Sequence, residues 1–139
     1  MKFKVLLDYD TLSGLREVDI DLVDNYKFND YFINKNYSCS QIIKIVIILF
    51  CRNPEYEFKQ RIRLYKNDKV LYIDLMFDLN IMKELDHNSR CELTASKFIN
   101  EIPIIIKRYI KRKQITNFDI ERFTDDLTNF FENICWYNK

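Results

Sequence analysis

The 139 residues carry 22 basic and 21 acidic side chains, a formal net charge of +1, with one glycine, one histidine and four cysteines. A balance this close to zero gives no whole-molecule attraction for nucleic acid or an anionic membrane. A lone glycine (Gly14) cannot build a phosphate-cradling loop, and a lone histidine (His87) cannot assemble a histidine-based metal site or nucleophile system in its usual form.

The length fits a single domain, residues 1–139, large enough to bury a self-sufficient core. Phe3, Val5, Leu7 and Tyr9 alternate with Lys2, Lys4, Leu6 and Asp8, the period of a strand. Thr11-Leu12-Ser13-Gly14 reads as a turn. Val18, Ile20 and Leu22 then alternate with Glu17, Asp19 and Asp21, a second strand with an acidic face. Residues 1–30 hold four bases against seven acids, so the remainder of the chain is mildly basic. Asp24–Tyr37 mixes Tyr26, Phe28, Tyr31, Phe32 and Tyr37 with Asn and Asp. This composition fits an aromatic-rich interface or a long connection packed onto the sheet.

Ile42–Cys51 is apolar and β-branched, which predicts a central strand covered on both faces. Its longest apolar stretch, Ile45–Cys51, is too short to span a bilayer. Asn53-Pro54 ends it. Tyr56, Phe58, Ile62 and Leu64 alternate with polar residues, as do Leu71, Ile73, Leu75 and Phe77, around the turn Lys66–Lys69. That pattern predicts a β-hairpin over Tyr56–Asp78, with a turn lacking glycine. Residues 79–90 have room for a short helix. Phe98, Ile102, Ile105, Ile106 and Tyr109 recur at helical spacing, with Pro103 set to kink the helix or begin a new one. Ile120, Phe123, Leu127, Phe130, Phe131 and Ile134 form another apolar stripe, with Thr116 or Asn117 available as its cap. Strands followed by helices predict an α+β domain. The expected architecture is an antiparallel sheet of four or five strands, with two long C-terminal helices packed on one face.

No catalytic residues, metal ligands or cofactor emerge from this pattern. Asp74 and Asp78 are paired carboxylates on one strand face, a candidate for metal or acid–base work, but the polar side of an antiparallel sheet explains them without chemistry. With Glu17, Asp19 and Asp21 they would form an acidic surface if the strands are neighbours. Lys107, Arg108, Lys111, Arg112 and Lys113 crowd one helix end. They form a candidate phosphate-contacting patch, though cations also complement a helix C-terminus. Cys39, Cys51, Cys91 and Cys135 are widely spaced, and the N-terminus turns acidic too soon for a signal peptide. Free thiols in a reducing cytoplasm are expected.

The segment RIRLYKNDKVLYIDLMFDLNIMKEL (61–85), with its DLMFDL phrasing, and the segment KFINEIPIIIKRYIKRKQITNFDIERFTDDL (97–127) lie in a hairpin-then-two-helices layout. Together they resemble small immunity proteins of bacterial polymorphic-toxin and contact-dependent inhibition systems. The resemblance implies a cytoplasmic, non-catalytic protein that binds and blocks one cognate toxin domain. It carries no functional residue across. From the chain itself, Tyr26 and Tyr31 are the expected toxin anchors, with Asp19 and Asp21 on the rim. The alternative is a small nucleic-acid-binding accessory protein using segment 107–113, and a homo-oligomer is a third arrangement.

Overall fold

The computed structural model describes residues 3–9, 23, 25–37, 39–53, 55 and 59–133. Strand β1 (Lys4–Tyr9) leads through helix α1 (Asn25–Phe32) to β2 (Lys44–Arg52). The hairpin β3 (Ile62–Tyr65) and β4 (Val70–Asp78) follows, then α2 (Leu79–Glu84), α3 (His87–Lys111) and α4 (Ile120–Asn133). The predicted strand over residues 17–22, the turn at 11–14 and the outer part of the hairpin at 56–58 lie outside the described residues.

The fold is α+β with a four-stranded sheet, in the order β1-β2-β4-β3. The pairing departs from the expected all-antiparallel sheet. β1 and β2 are parallel, β2 and β4 are parallel, and only β3 and β4 are antiparallel. The reason is α1. Parallel neighbours need a crossover connection, and α1 supplies it between β1 and β2, within the segment read from sequence as an aromatic interface or a long connection. Phe28 and Phe32, one helical turn apart on α1, are both buried. Asn29 Oδ1 accepts the Leu7 N–H at 2.9 Å and so occupies part of the β1 edge.

The four helices cover one face of the sheet. Val5, Leu7, Ile45, Ile47, Leu49, Cys51, Leu71, Ile73, Leu75 and Phe77 point into a single core cluster. That cluster also holds every buried hydrophobic side chain of α1 to α4. β2 is interior to the sheet, as the sequence implies, and among the described residues helices cover it on one face only, although Val46 on the other face is buried too. Ile48 and Phe50, which point the other way, are half-buried and stand outside this cluster.

Aromatic rings fill the space between helices and sheet. Phe28 meets Phe130 edge-on at 5.1 Å and Phe98 at 5.9 Å, while Phe98 meets Phe131 at 4.8 Å. Such offset contacts add to the burial of the rings. The predicted stripes hold over the described residues: Phe98, Ile102 and Ile106 of α3 and Phe123, Leu127 and Phe130 of α4 are fully buried, while Ile134 lies outside them.

Local signals set the helix ends. Asp78 Oδ1 accepts from Asn80 N–H (2.9 Å) and Ile81 N–H (3.3 Å), capping α2. Asp86 Oδ1 accepts from Ser89 N–H at 2.8 Å, capping α3. The cap of α4 is Asp119, whose Oδ1 accepts the Arg122 N–H at 3.1 Å. Thr116 is engaged elsewhere, accepting from Gln41 Nε2 at 2.7 Å. α3 runs through the buried Pro103 as one element. Cys39 is half-buried and Cys51 and Cys91 are buried, while Cys135 lies outside the described residues.

Phe130 has no exposure and lies among three rings, those of Phe28, Tyr31 and Phe131, so Phe130→Ala removes contacts that the surroundings cannot refill. Chemical denaturation of this variant is expected to show a loss of about 3–5 kcal/mol against wild type.

Candidate functional site

Side chains alternate along a strand, so the face opposite the helices carries the even-numbered residues of β1, β2 and β4. The registers place Leu6 beside Val46 and Val46 beside Tyr72, which pairs with Arg63 of β3. One row further on, Asp8, Ile48 and Asp74 are neighbours, and then Phe50 and Met76. Leu6, Ile48, Phe50, Tyr72 and Met76 are half-buried, and Tyr65 is 44% exposed. None of them belongs to the helix-side core. This is a mixed apolar, aromatic and charged surface on a rigid sheet, the composition that interfaces favour.

Its polar centre is Asp74, only 2% exposed. The carboxylate accepts Arg61 N–H at 3.2 Å through Oδ2, and Arg63 Nη2 donates to Oδ1 at 3.4 Å. The Arg63 guanidinium also lies 5.2 Å from the Tyr72 ring centre, and Tyr65 meets Tyr72 edge-on at 5.5 Å. Arg63 Nε is buried with no acceptor. A buried donor left unpaired costs about 1–3 kcal/mol. A groove of about 390 Å³ opens here, lined by Ile48, Arg63, Tyr65, Asp68, Val70 and Tyr72.

The paired carboxylates of the sequence are therefore separated in role. Asp74 is buried against arginine and backbone, whereas Asp78 is half-buried and caps α2. Neither gives the open acidic surface that alternation implied. Glu17, Asp19 and Asp21 lie outside the described residues. Among the described residues, no group of three or more His, Cys, Asp or Glu is placed to hold a metal ion.

The aromatic segment also divides. Tyr26 on α1 is 80% exposed. Tyr31 is half-buried against Phe32 (5.1 Å) and Phe130 (5.4 Å). Phe28 and Tyr37 are core residues. The Tyr37 hydroxyl donates to Asp126 Oδ2 at 2.7 Å, and Asp126 also pairs with Lys35 at 3.6 Å and Arg122 at 3.9 Å. Burial, and then this bond to a carboxylate, push the Tyr37 pKa well above its ordinary 10.0.

Lys107, Arg108, Lys111, Arg112 and Lys113 are all exposed at the end of α3, where they complement its dipole. The end is a Schellman arrangement: Lys113 N–H donates to Ile110 O (3.0 Å) and Gln114 N–H to Tyr109 O (2.9 Å). Lys113 therefore occupies the left-handed position that glycine usually takes, at φ 57°. Lys69, in the hairpin turn, does the same at φ 56°. Each costs about 1 kcal/mol or more relative to glycine.

Sequence reasoning missed two things. His87 Nε2 lies 3.5 Å from Cys91 Sγ, a pairing legible in the i, i+4 spacing, although Cys91 is buried in the core. The Arg63–Tyr72–Asp74 cluster had a signal too: an arginine on one hairpin strand facing an aspartate on the other.

The sequence profile of immunity protein 44 matches residues 1–133. The chain belongs to the immunity protein 44 family. No curated protein and no solved structure matches it. Among the described residues, no helix is long and apolar enough to cross a membrane.

Tyr37 supplies a check on the core that supports this surface. Its raised pKa means the folded state holds the phenol protonated, so the stabilisation is complete below pH 10 and declines as pH rises further. Tyr37→Phe is expected to lower stability by about 1 kcal/mol at neutral pH. It is also expected to give a shallower fall in stability than wild type above pH 10, read by urea denaturation across the alkaline range.

Proposed function

We propose that this chain neutralises a toxin by direct, non-catalytic binding in the cytoplasm, and that the toxin seats on the helix-free sheet face around Arg63 and Tyr72. The family match over residues 1–133 carries the first half of the proposal. The second half rests on the composition of the face. Interface hot spots are enriched in tyrosine and arginine held in well-packed surroundings. Tyr65, Tyr72 and Arg63 are held in this way by one another and by Asp74. The Arg63 side chain is still 35% exposed, so a bound partner can reach its outer part. The sheet is already ordered, so binding would freeze few side chains, which favours affinity.

Tyr26 gives a second proposed contact. Its ring is 80% exposed on α1, and it would act as an anchor with Tyr31, with Asp19 and Asp21 on the rim. This contact would extend the interface around the β1 edge, where α1 packs.

The test uses the toxic domain encoded by an adjacent open reading frame, inactivated by mutation and titrated calorimetrically. Wild type is expected to bind. Arg63→Ala and Tyr72→Ala are each expected to weaken binding by about 2 kcal/mol or more. Wild type failing to bind the toxin would overturn the immunity reading. Folded Arg63→Ala and Tyr72→Ala variants that bind like wild type would remove the sheet face. A loss confined to Tyr26→Ala would place the interface on α1. Binding of an oligonucleotide through Lys107–Lys113 that collapses with salt would favour the nucleic-acid alternative.

A further inference from the structure

We infer that a second groove, at the turn end of the β3–β4 hairpin, receives an acidic segment of the partner protein. This rests on the immunity reading and adds an electrostatic contact beside the sheet face. The groove has a volume of about 320 Å³ and is lined by Gln41, Leu64, Lys66, Lys69, Lys113 and Gln114. Three lysines thus line one recess. Ion pairs form at other places: Lys35 and Arg122 with Asp126, Arg63 with Asp74, Lys97 with Glu101. Lys66, Lys69 and Lys113 form no ion pair among the described residues.

Two of the three lysines occupy backbone positions that disfavour them. Lys69 and Lys113 have φ of 56° and 57°, where glycine or asparagine is the ordinary choice. A local rule broken twice around one groove points to a use for the side chains rather than to the needs of the turns.

The walls are fixed independently of any occupant. Ile43 N–H donates to Lys69 O at 2.8 Å, which ties the hairpin turn to the start of β2. Gln41 Oε1 accepts Thr116 N–H at 3.0 Å, and Gln41 Nε2 donates to Thr116 Oγ1 at 2.7 Å. These bonds tie the segment after α3 to the same place. The site is therefore pre-organised, and its three cations are held together without a counter-charge.

The occupant that fits is a short run of carboxylates. A single-stranded nucleic-acid site adds aromatic stacking platforms to its cationic track, and no ring lines this groove. The adjoining groove on the sheet face shares the same hairpin, through Asp68 and Val70. One protein partner can therefore occupy both.

The experiment uses the full chain, a short polyglutamate peptide and an oligothymidylate of matched charge. The variant is Lys66→Gln with Lys69→Gly and Lys113→Gly, in which the glycines suit the left-handed positions and the thermal midpoint is expected to be no lower than that of wild type. Polyglutamate is expected to shift the amide resonances of residues 66–69 and 113–114, and to bind the triple variant roughly tenfold more weakly. Equal binding to both proteins, or shifts confined to other surfaces, would overturn the inference. Tighter binding of oligothymidylate through the same lysines would overturn it in favour of phosphate. The toxin titration separates the two proposals. Wild type that fails to bind toxin contradicts the immunity reading, whereas a triple variant that binds toxin as tightly as wild type contradicts this groove alone.

Discussion

A four-stranded sheet has two faces, and among the described residues the helices bury only one of them. The asymmetry follows from the aromatic core. Phe28, Phe32, Phe98, Phe123, Phe130 and Phe131 are fully buried or nearly so, and all lie on the same side of the sheet. The opposite face has to be tolerable in water, and it is tolerable because charge is interleaved with its apolar residues. Arg63, Asp74 and Arg52 stand among Ile48, Phe50 and Tyr72. A face of this kind is stable alone, yet it keeps enough apolar area and unmet hydrogen-bonding capacity to reward a partner.

Much of this arrangement was legible in the chain. The apolar stripe of α4 repeats at helical spacing through Phe123, Leu127 and Phe130, and each of these residues is buried as that spacing implies. The hairpin is legible because alternation on both sides of Lys66–Lys69 leaves no other economical pairing. Helix α1 was not legible. Asn25–Phe32 has only eight residues, several of them Asn, Asp and Tyr, whose intrinsic preference for helix is poor. Tertiary burial of Phe28 and Phe32 overrides that preference. Missing α1 meant missing the parallel pairing of β1 and β2, since without a crossover helix an antiparallel sheet is the natural reading.

The candidate site was legible only in part, for a different reason. Period-two alternation shows which residues share a face but not what lies above it. Asp74 was correctly set on the polar side, yet it is buried because Arg63 and the Arg61 backbone close over it. Phe28 and Tyr37 looked like interface aromatics by composition and are core residues by packing. The basic groove joins Lys66 and Lys69 to Lys113, residues more than forty positions apart, and only the tertiary fold brings them together. The left-handed backbone at Lys69 and Lys113 has no sequence signature at all, since the residue there argues against it.

The central claim is that an immunity protein 44 member presents its helix-free sheet face to its toxin. A crystal structure of the chain bound to its toxin tests this most directly. Phe50, Arg63 and Tyr72 are expected to be covered by the toxin. A toxin seated on the α3–α4 side, with the sheet face still open to solvent, would contradict it.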